Sequence, residues 1–245
     1  MRRPRLKLNP EEEEAYYHCI SRTAGAQWLL GEREKEVLRK QLWALAEYCG
    51  LEIVTYTLMS NHYHVLLKVP QKYEPSDREL LARFRALYPN LKQAQERALK
   101  EVEKDMEKNG ETAQRWRKRQ LSQMFDVSQY NKLLKMRFSI WYNKTHERVG
   151  TLWSERFKSV LVESGEALRK VAAYIDLNSA RAYIVQDPKE YRFCGYAEAV
   201  GGKDRARKGL EMLYGRNWAE SSERYRCQLL GTLAEAREKK ASLSP

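Results

Sequence analysis

Hydrophobic and polar positions alternate most regularly between residues 53 and 70, IVTYTLMSNHYHVLLKVP. The β-branched and aromatic residues at 53–59 predict one strand, and Ser60-Asn61 supplies turn chemistry. Residues 62–69 predict a second strand, which Pro70 ends. In that second strand the period of two sends His62, His64, Leu66 and Lys68 to one face, and Tyr63, Val65, Leu67 and Val69 to the other. Upstream, AYYHCISR reads as a strand. Residues 33–48 read as a helix, with apolar residues at 37, 38, 42, 45 and 46 and Gly50 closing it. The order β-α-β-β is the first part of a split βαβ unit.

Residues 74–127 interrupt this pattern. They are highly charged and helix-forming, with breaks near Pro89 and Asn109-Gly110, and read as a helical insertion. Helical spacing returns at 128–144, where Tyr130, Leu133, Leu134, Phe138 and Trp141 make a core-facing set. Gly150 then opens TLWSERFKSVLVE, expected as one alternating strand. Together these complete βαββαβ: an α+β fold of the ferredoxin-like type, an antiparallel sheet with helices. A further helix begins near Ser164-Gly165 and carries EALRKVAAYIDLNSARA. The tail from 196 to 245 reads as two basic helices joined at 215–218. The expected layout is one domain over 1–200, interrupted by the insertion, and a basic helical extension over 201–245.

Charge narrows the choice of partner. The 245 residues carry a net charge of +12, which favours a polyanion, nucleic acid above all. Fifteen tyrosines and six tryptophans add aromatic faces on which unpaired bases can stack. The basic arm Arg2, Arg3, Arg5, Lys7 suits a phosphate backbone, and RWRKR at 115–119 is the densest basic cluster in the chain. Arg115, Arg117, Lys118 and Arg119 are therefore candidate nucleic-acid contacts. Arg22, Arg156, Lys158 and Arg181 join them. No apolar run reaches the length of a membrane span, and MRRPRLKLNP lacks the apolar segment of a signal peptide. Four scattered cysteines without a CxxC pair argue against a zinc ribbon or disulfide scaffold, so the expected setting is a reducing cytoplasm, at the nucleoid.

The candidate chemistry lies in two places. Two imidazoles on one strand face are half of a metal site, although an HxH pair alone is equally a polar pair facing solvent. On the helix after Gly165, about 100° per residue puts Lys170, Tyr174, Asn178 and Arg181 within an arc of roughly 80°. The adjoining stripe, Leu168, Val171, Ala172, Ile175 and Ala182, is apolar. By itself this helix reads equally as an amphipathic helix with a boundary tyrosine.

Taken together, the motifs resemble a specific family. MSNHYHVLL resembles the His-hydrophobic-His signature of single-tyrosine HUH transposases. GTLWSERFKSVLVE and AYIDLNSARA, followed after eleven residues by YRFCGYAEA, resemble later blocks of the REP-associated tyrosine transposases. The resemblance runs from about Tyr16 to Ala199, without the insertion. It departs at Ser60 and Ser179, where family members commonly have proline. Serine at 179 is expected to let the helix run on past Asn178.

The resemblance implies that His62, His64 and Asn178 hold a divalent ion, Mg2+ or Mn2+, and that Tyr174 is the nucleophile. It implies cleavage and rejoining of single-stranded or hairpin DNA through a 5′-phosphotyrosine, by a monomer or homodimer, without a membrane. A free phenol ionises near pH 10, so attack at neutral pH requires activation; Lys170, one turn before Tyr174, and the metal are the two candidates for it. Two other readings stay open: a non-catalytic domesticated binder of DNA or RNA, and a nuclease that hydrolyses without a covalent intermediate.

Overall fold

The computed structural model describes residues 6–242, so Arg2, Arg3 and Arg5 of the basic arm lie outside the described residues. Its chain order opens β1 (Ala15–Arg22), α1 (Glu32–Cys49), β2 (Glu52–Leu58), β3 (His62–Val69). Gly50 caps α1 at φ 66°, a left-handed turn that glycine adopts without strain, and so feeds the chain into β2. Next come three helices, α2 (Asp77–Leu87), α3 (Gln93–Met106) and α4 (Glu111–Leu121), then α5 (Val127–Thr145) and β4 (Lys158–Val162). The strands pair in the order β2-β3-β1-β4, every pair antiparallel. With α1 and α5 as its two helices, this is the ferredoxin-like βαββαβ arrangement, and the fold class is α+β.

Period two divides the sheet. Tyr17, Cys19, Tyr63, Val65 and Leu67 are buried on the face covered by α1 and α5. There Tyr63 donates a hydrogen bond to Asn131 Oδ1 (3.1 Å), and Tyr130 donates to the Leu42 carbonyl (3.2 Å), tying α5 to sheet and α1. The insertion α2–α4 packs on α1 through α2. Its basic cluster is partly structural: Arg117 forks onto Asp77 at 2.5 and 2.6 Å, and Trp116 packs edge-on against Phe84. Arg115, Lys118 and Arg119 are exposed. Lys7 pairs with Asp126 at the start of α5 (2.8 Å), which fixes the last residue of the basic arm.

Three expectations need correction. The stretch from Gly150 is not one strand: ladder pairing is confined to 158–162, and Trp153 makes only an isolated bridge to Thr23. Leu152, Trp153 and Phe157 each bury as loop residues, Trp153 stacking edge-on against Tyr63 and donating to the Lys135 carbonyl. The helix after Gly165 does run on past Asn178 to Arg181, but not as one unbroken helix. It divides at Leu177 into α6 (Glu166–Asp176) and the single turn α7 (Asn178–Arg181), and Tyr183 at φ 57° ends it. The tail, finally, has three helices rather than two: α8 (Gly195–Val200), α9 (Asp204–Glu211) and α10 (Trp218–Ser242).

On the second face of the sheet α6 packs over β2 and β3, α8 and α9 pack on β2, and α10 packs on α6 and α9. A Cβ on Gly209 of α9 would stand 2.4 Å from the Ile53 carbonyl oxygen, so glycine lets the helix close on edge strand β2. At the centre lies Asp176, fully buried. It accepts hydrogen bonds from Thr55 Oγ1 of β2 (2.8 Å), the Tyr196 amide of α8 (3.1 Å) and the Tyr225 hydroxyl of α10 (2.6 Å). Burial pushes its carboxyl up to about 6, against the lowering effect of those donors. The extension is therefore joined to α6 through the core. No described helix is long and apolar enough to cross a membrane.

Replacing Tyr225 by phenylalanine removes one of these donors while keeping the ring. The expected loss of stability is about 1–3 kcal/mol, the cost of under-satisfying a buried acceptor, measured by urea unfolding at pH 8. No change in unfolding midpoint would show that the Asp176 network does not hold α10 to the core.

Candidate active site

The antiparallel register of the two central strands builds the site. Ile20 pairs with His64, Arg22 with His62, and His18 with Leu66, so all six side chains share the face toward α6. In the outer strand β4, Lys158 pairs with Ile20 and Val160 with His18, which adds one more cation to the same face. Helix α6 packs over β2 and β3 and brings Tyr174 to the histidines. The Tyr174 ring lies 5.8 Å from that of His64 and 6.2 Å from that of His18, both edge-on. It stays 40% exposed, and Val160 of β4, which pairs with His18, is 58% exposed, so this part of the sheet is open to solvent.

The side chains around the histidines set which nitrogens can act. Asn61 donates its Nδ2 to the Ala26 carbonyl (3.1 Å), which turns its Oδ1 to His62 Nδ1 at 2.6 Å. An amide oxygen only accepts, so Nδ1 of His62 carries the proton and the Nε2 lone pair is free. Asn178 likewise donates Nδ2 to the carbonyls of Tyr174 (2.9 Å) and Ile175 (3.2 Å), leaving Oδ1 as its acceptor. Both orientations suit a donor set of imidazole nitrogen and amide oxygen, with positions left open for phosphate oxygens. Among the described residues no three His, Cys, Asp or Glu side chains are placed to share a metal ion. The four cysteines are free thiols, three of them buried, and none belongs to the site.

The remaining candidates fall into place as follows. Arg181 stacks its guanidinium over the Tyr174 ring at 5.1 Å. Lys170 is 71% exposed and pairs with Glu166 at 2.5 Å, one turn back along α6. Arg22 and Arg156 are exposed, and Lys158 is exposed and pairs with Glu155 at 3.2 Å. The four cluster residues at 115–119 belong to α4, in the insertion that packs on α1, and α1 covers the other face of the sheet. Two residues escaped the sequence reading: Asn61, taken only for its turn chemistry, and His18. The alternation of β1 puts His18 on one face with Tyr16, Ile20 and Arg22, but only the pairing with β3 shows which face that is.

Burial dominates the electrostatics. It lowers His18 and His62 to about 4, and His64 to about 3, with smaller contributions from neighbouring imidazoles at His64 and from Arg22 at His62 and His64. A histidine whose folded value is depressed supports the fold above its unfolded value, about 6.5, and that support is lost as pH falls through the folded value. Stability should therefore drop between about pH 6.5 and pH 3. Ring Cε1–H NMR signals of all three should stay those of neutral imidazole down to about pH 5. A midpoint near 6.5 for His64 would contradict this.

Residues 12–119 match the family model described as transposase, IS200-like. That span holds His18, His62 and His64, whereas Tyr174 and Asn178 lie beyond it. None of the curated proteins matches the chain. Among solved structures, the REP-associated tyrosine transposase bound to a REP hairpin aligns with a TM-score of 0.47 at 12% identity, over 82% of this chain and 87% of that one. A putative transposase from Deinococcus radiodurans R1 aligns with a TM-score of 0.33 at 14% identity, over 83% of this chain and 98% of that one. Through the part of the fold that carries its three central histidines, this chain is similar to the IS200-like transposases.

Proposed function

We propose that this protein is a metal-dependent DNA strand transferase, which cleaves and rejoins single-stranded or hairpin DNA through a 5′-phosphotyrosine at Tyr174. The observation that carries the proposal is the meeting of a solvent-open phenol with the His62–His64 pair, on a fold whose first 119 residues include the IS200-like match. His62 through Nε2, His64, and Asn178 through Oδ1 would hold Mg2+ or Mn2+. When bound, the ion supplies a Lewis acid for a phosphate oxygen.

The chain's own groups do the rest. Tyr174 Oη attacks the phosphorus. As the Oη–P bond forms, the bond from phosphorus to the 3′-oxygen breaks; the phenol loses its proton and the leaving oxygen gains one, ending as a free 3′-hydroxyl. The energy of the phosphodiester is conserved in the phosphotyrosine, so a 3′-hydroxyl can reverse the step and rejoin strands without ATP. Arg181 holds the ring from one face and offers its charge to the incoming backbone. Arg22 and Lys158, on the histidine face of the sheet, extend that positive track. Lys170, held by Glu166, sits one turn from the phenol and would take part once that ion pair opens. The protein would act on nucleoid DNA in the cytoplasm. Tyr174 meets His64 of its own chain, which supports a site assembled within one subunit.

Tyr174→Phe keeps the ring and its packing and removes only the attacking oxygen. With manganese and DNA labelled 3′ of the cut, the wild type should give a slow-migrating band that survives SDS and boiling but not protease. The variant should bind the same DNA and give none. An adduct in the variant would place the nucleophile elsewhere, and cutting by the wild type without an adduct would favour a hydrolytic nuclease.

A further inference from the structure

His18 stands closest to the proposed metal ligands without being assigned to anything. It is buried, on the central strand β1, and its Nε2 lies 2.8 Å from Nδ1 of His64. The two rings are within 24° of coplanar, with centroids 5.1 Å apart. Near-coplanar rings joined nitrogen to nitrogen place a lone pair in line with an N–H, which is hydrogen-bond geometry. His18 Nε2 is engaged with His64 Nδ1, so that nitrogen is not offered to an ion as a third imidazole ligand.

One proton lies between these nitrogens, and its owner decides what His64 can do. If His18 donates from Nε2, His64 accepts at Nδ1 and, being neutral, carries its own proton on Nε2. That nitrogen then has no lone pair for a metal. If His64 donates from Nδ1, its Nε2 is free, as Nε2 of His62 is. Asn61 already fixes His62 in this form through an acceptor at Nδ1. A matching acceptor at His64 Nδ1 would give both ligands the same protonation pattern and direct both Nε2 lone pairs to one place.

We infer that His18 is a positioning residue: its unprotonated Nε2 accepts from His64 Nδ1–H and so fixes the tautomer and ring orientation of His64 that leave Nε2 free for a divalent metal. The inference rests on the metal reading proposed above. It adds that the site is supported on two sides, by a turn asparagine behind His62 and by a histidine from the neighbouring strand behind His64. Partners of this kind commonly change metal affinity 10- to 100-fold when removed.

The direct test needs no metal. Long-range 1H–15N correlation spectra of the full chain at pH 7, assigned with His18→Gln and His64→Gln, report the tautomer of each ring. His64 should carry its proton on Nδ1, and His18 should be unprotonated at Nε2. The opposite pattern, His18 protonated on Nε2 and His64 on Nε2, overturns the inference. Manganese titration by calorimetry then measures the consequence. His18→Phe, which keeps an aromatic ring but cannot accept, should weaken binding about 10- to 100-fold. His18→Gln, whose amide oxygen accepts, should recover part of that loss. Equal manganese binding by wild type and His18→Phe, with both variants folded by NMR, overturns the positioning role. A wild type that binds no manganese would instead defeat the metal reading, while the tautomers still decide whether His18 accepts from His64.

Discussion

Everything at this site depends on the register between β1 and β3. These are the two central strands, joined along eight residue pairs from Ala15–Val69 to Arg22–His62. Side chains alternate with a period of two, so a slip of one residue would send His18 and Arg22 to the face buried under α1 and α5. The buried residues of that face, Tyr17 and Cys19 against Tyr63, Val65 and Leu67, make such a slip costly. Apolar packing on one face thus fixes the chemistry on the other. The three imidazoles converge because of a register that none of them needs to stabilise.

A second constraint sets where Tyr174 stands. Two residues after the tyrosine and two before Asn178, Asp176 is buried and held by donors from β2, α8 and α10. Helix α6 therefore cannot lift away from the sheet without breaking a network of buried polar groups, each costly to leave unpaired. The extension that looks separable in the sequence thereby contributes to the placement of the tyrosine. Tyr174 on α6 and Arg181 on α7, both facing solvent, stack on one another and need no buried partner.

The strands with strong alternation and the helices with clear caps were legible from the sequence. β1 and the hairpin of β2 and β3 follow from local alternation, and Gly50 marks the end of α1 because the left-handed turn is a local requirement. Pro89 and Asn109-Gly110 separate the helices of the insertion for the same kind of reason. The stretch from 150 to 157 misled because its apolar residues are spaced like a strand, yet Leu152, Trp153 and Phe157 are buried one by one in a loop. At Ser179, which has no helix-breaking ring, the helical path does run on past Asn178 to Arg181; what local pattern did not indicate is the one-residue division at Leu177 and the left-handed stop at Tyr183. His18 stayed hidden for a different reason: its role comes from a pairing 46 residues away, which no local pattern encodes. Asp176 and Tyr225 are likewise joined across 49 residues. The meeting of Tyr174 with His64 belongs to this non-local class too, and the sequence indicated it only through the order of motifs.

The central claim is that His62 and His64 together present nitrogen ligands to a divalent ion beside Tyr174. Pulsed electron paramagnetic resonance of the full chain with one equivalent of manganese addresses it most directly, because imidazole nitrogen bound to Mn2+ gives resolved 14N couplings. The account predicts couplings from two imidazoles in the wild type, one of them lost in His62→Ala and the other in His64→Ala, with the fold retained in both. Manganese bound with equal affinity in wild type and both variants, and without 14N coupling, would contradict it.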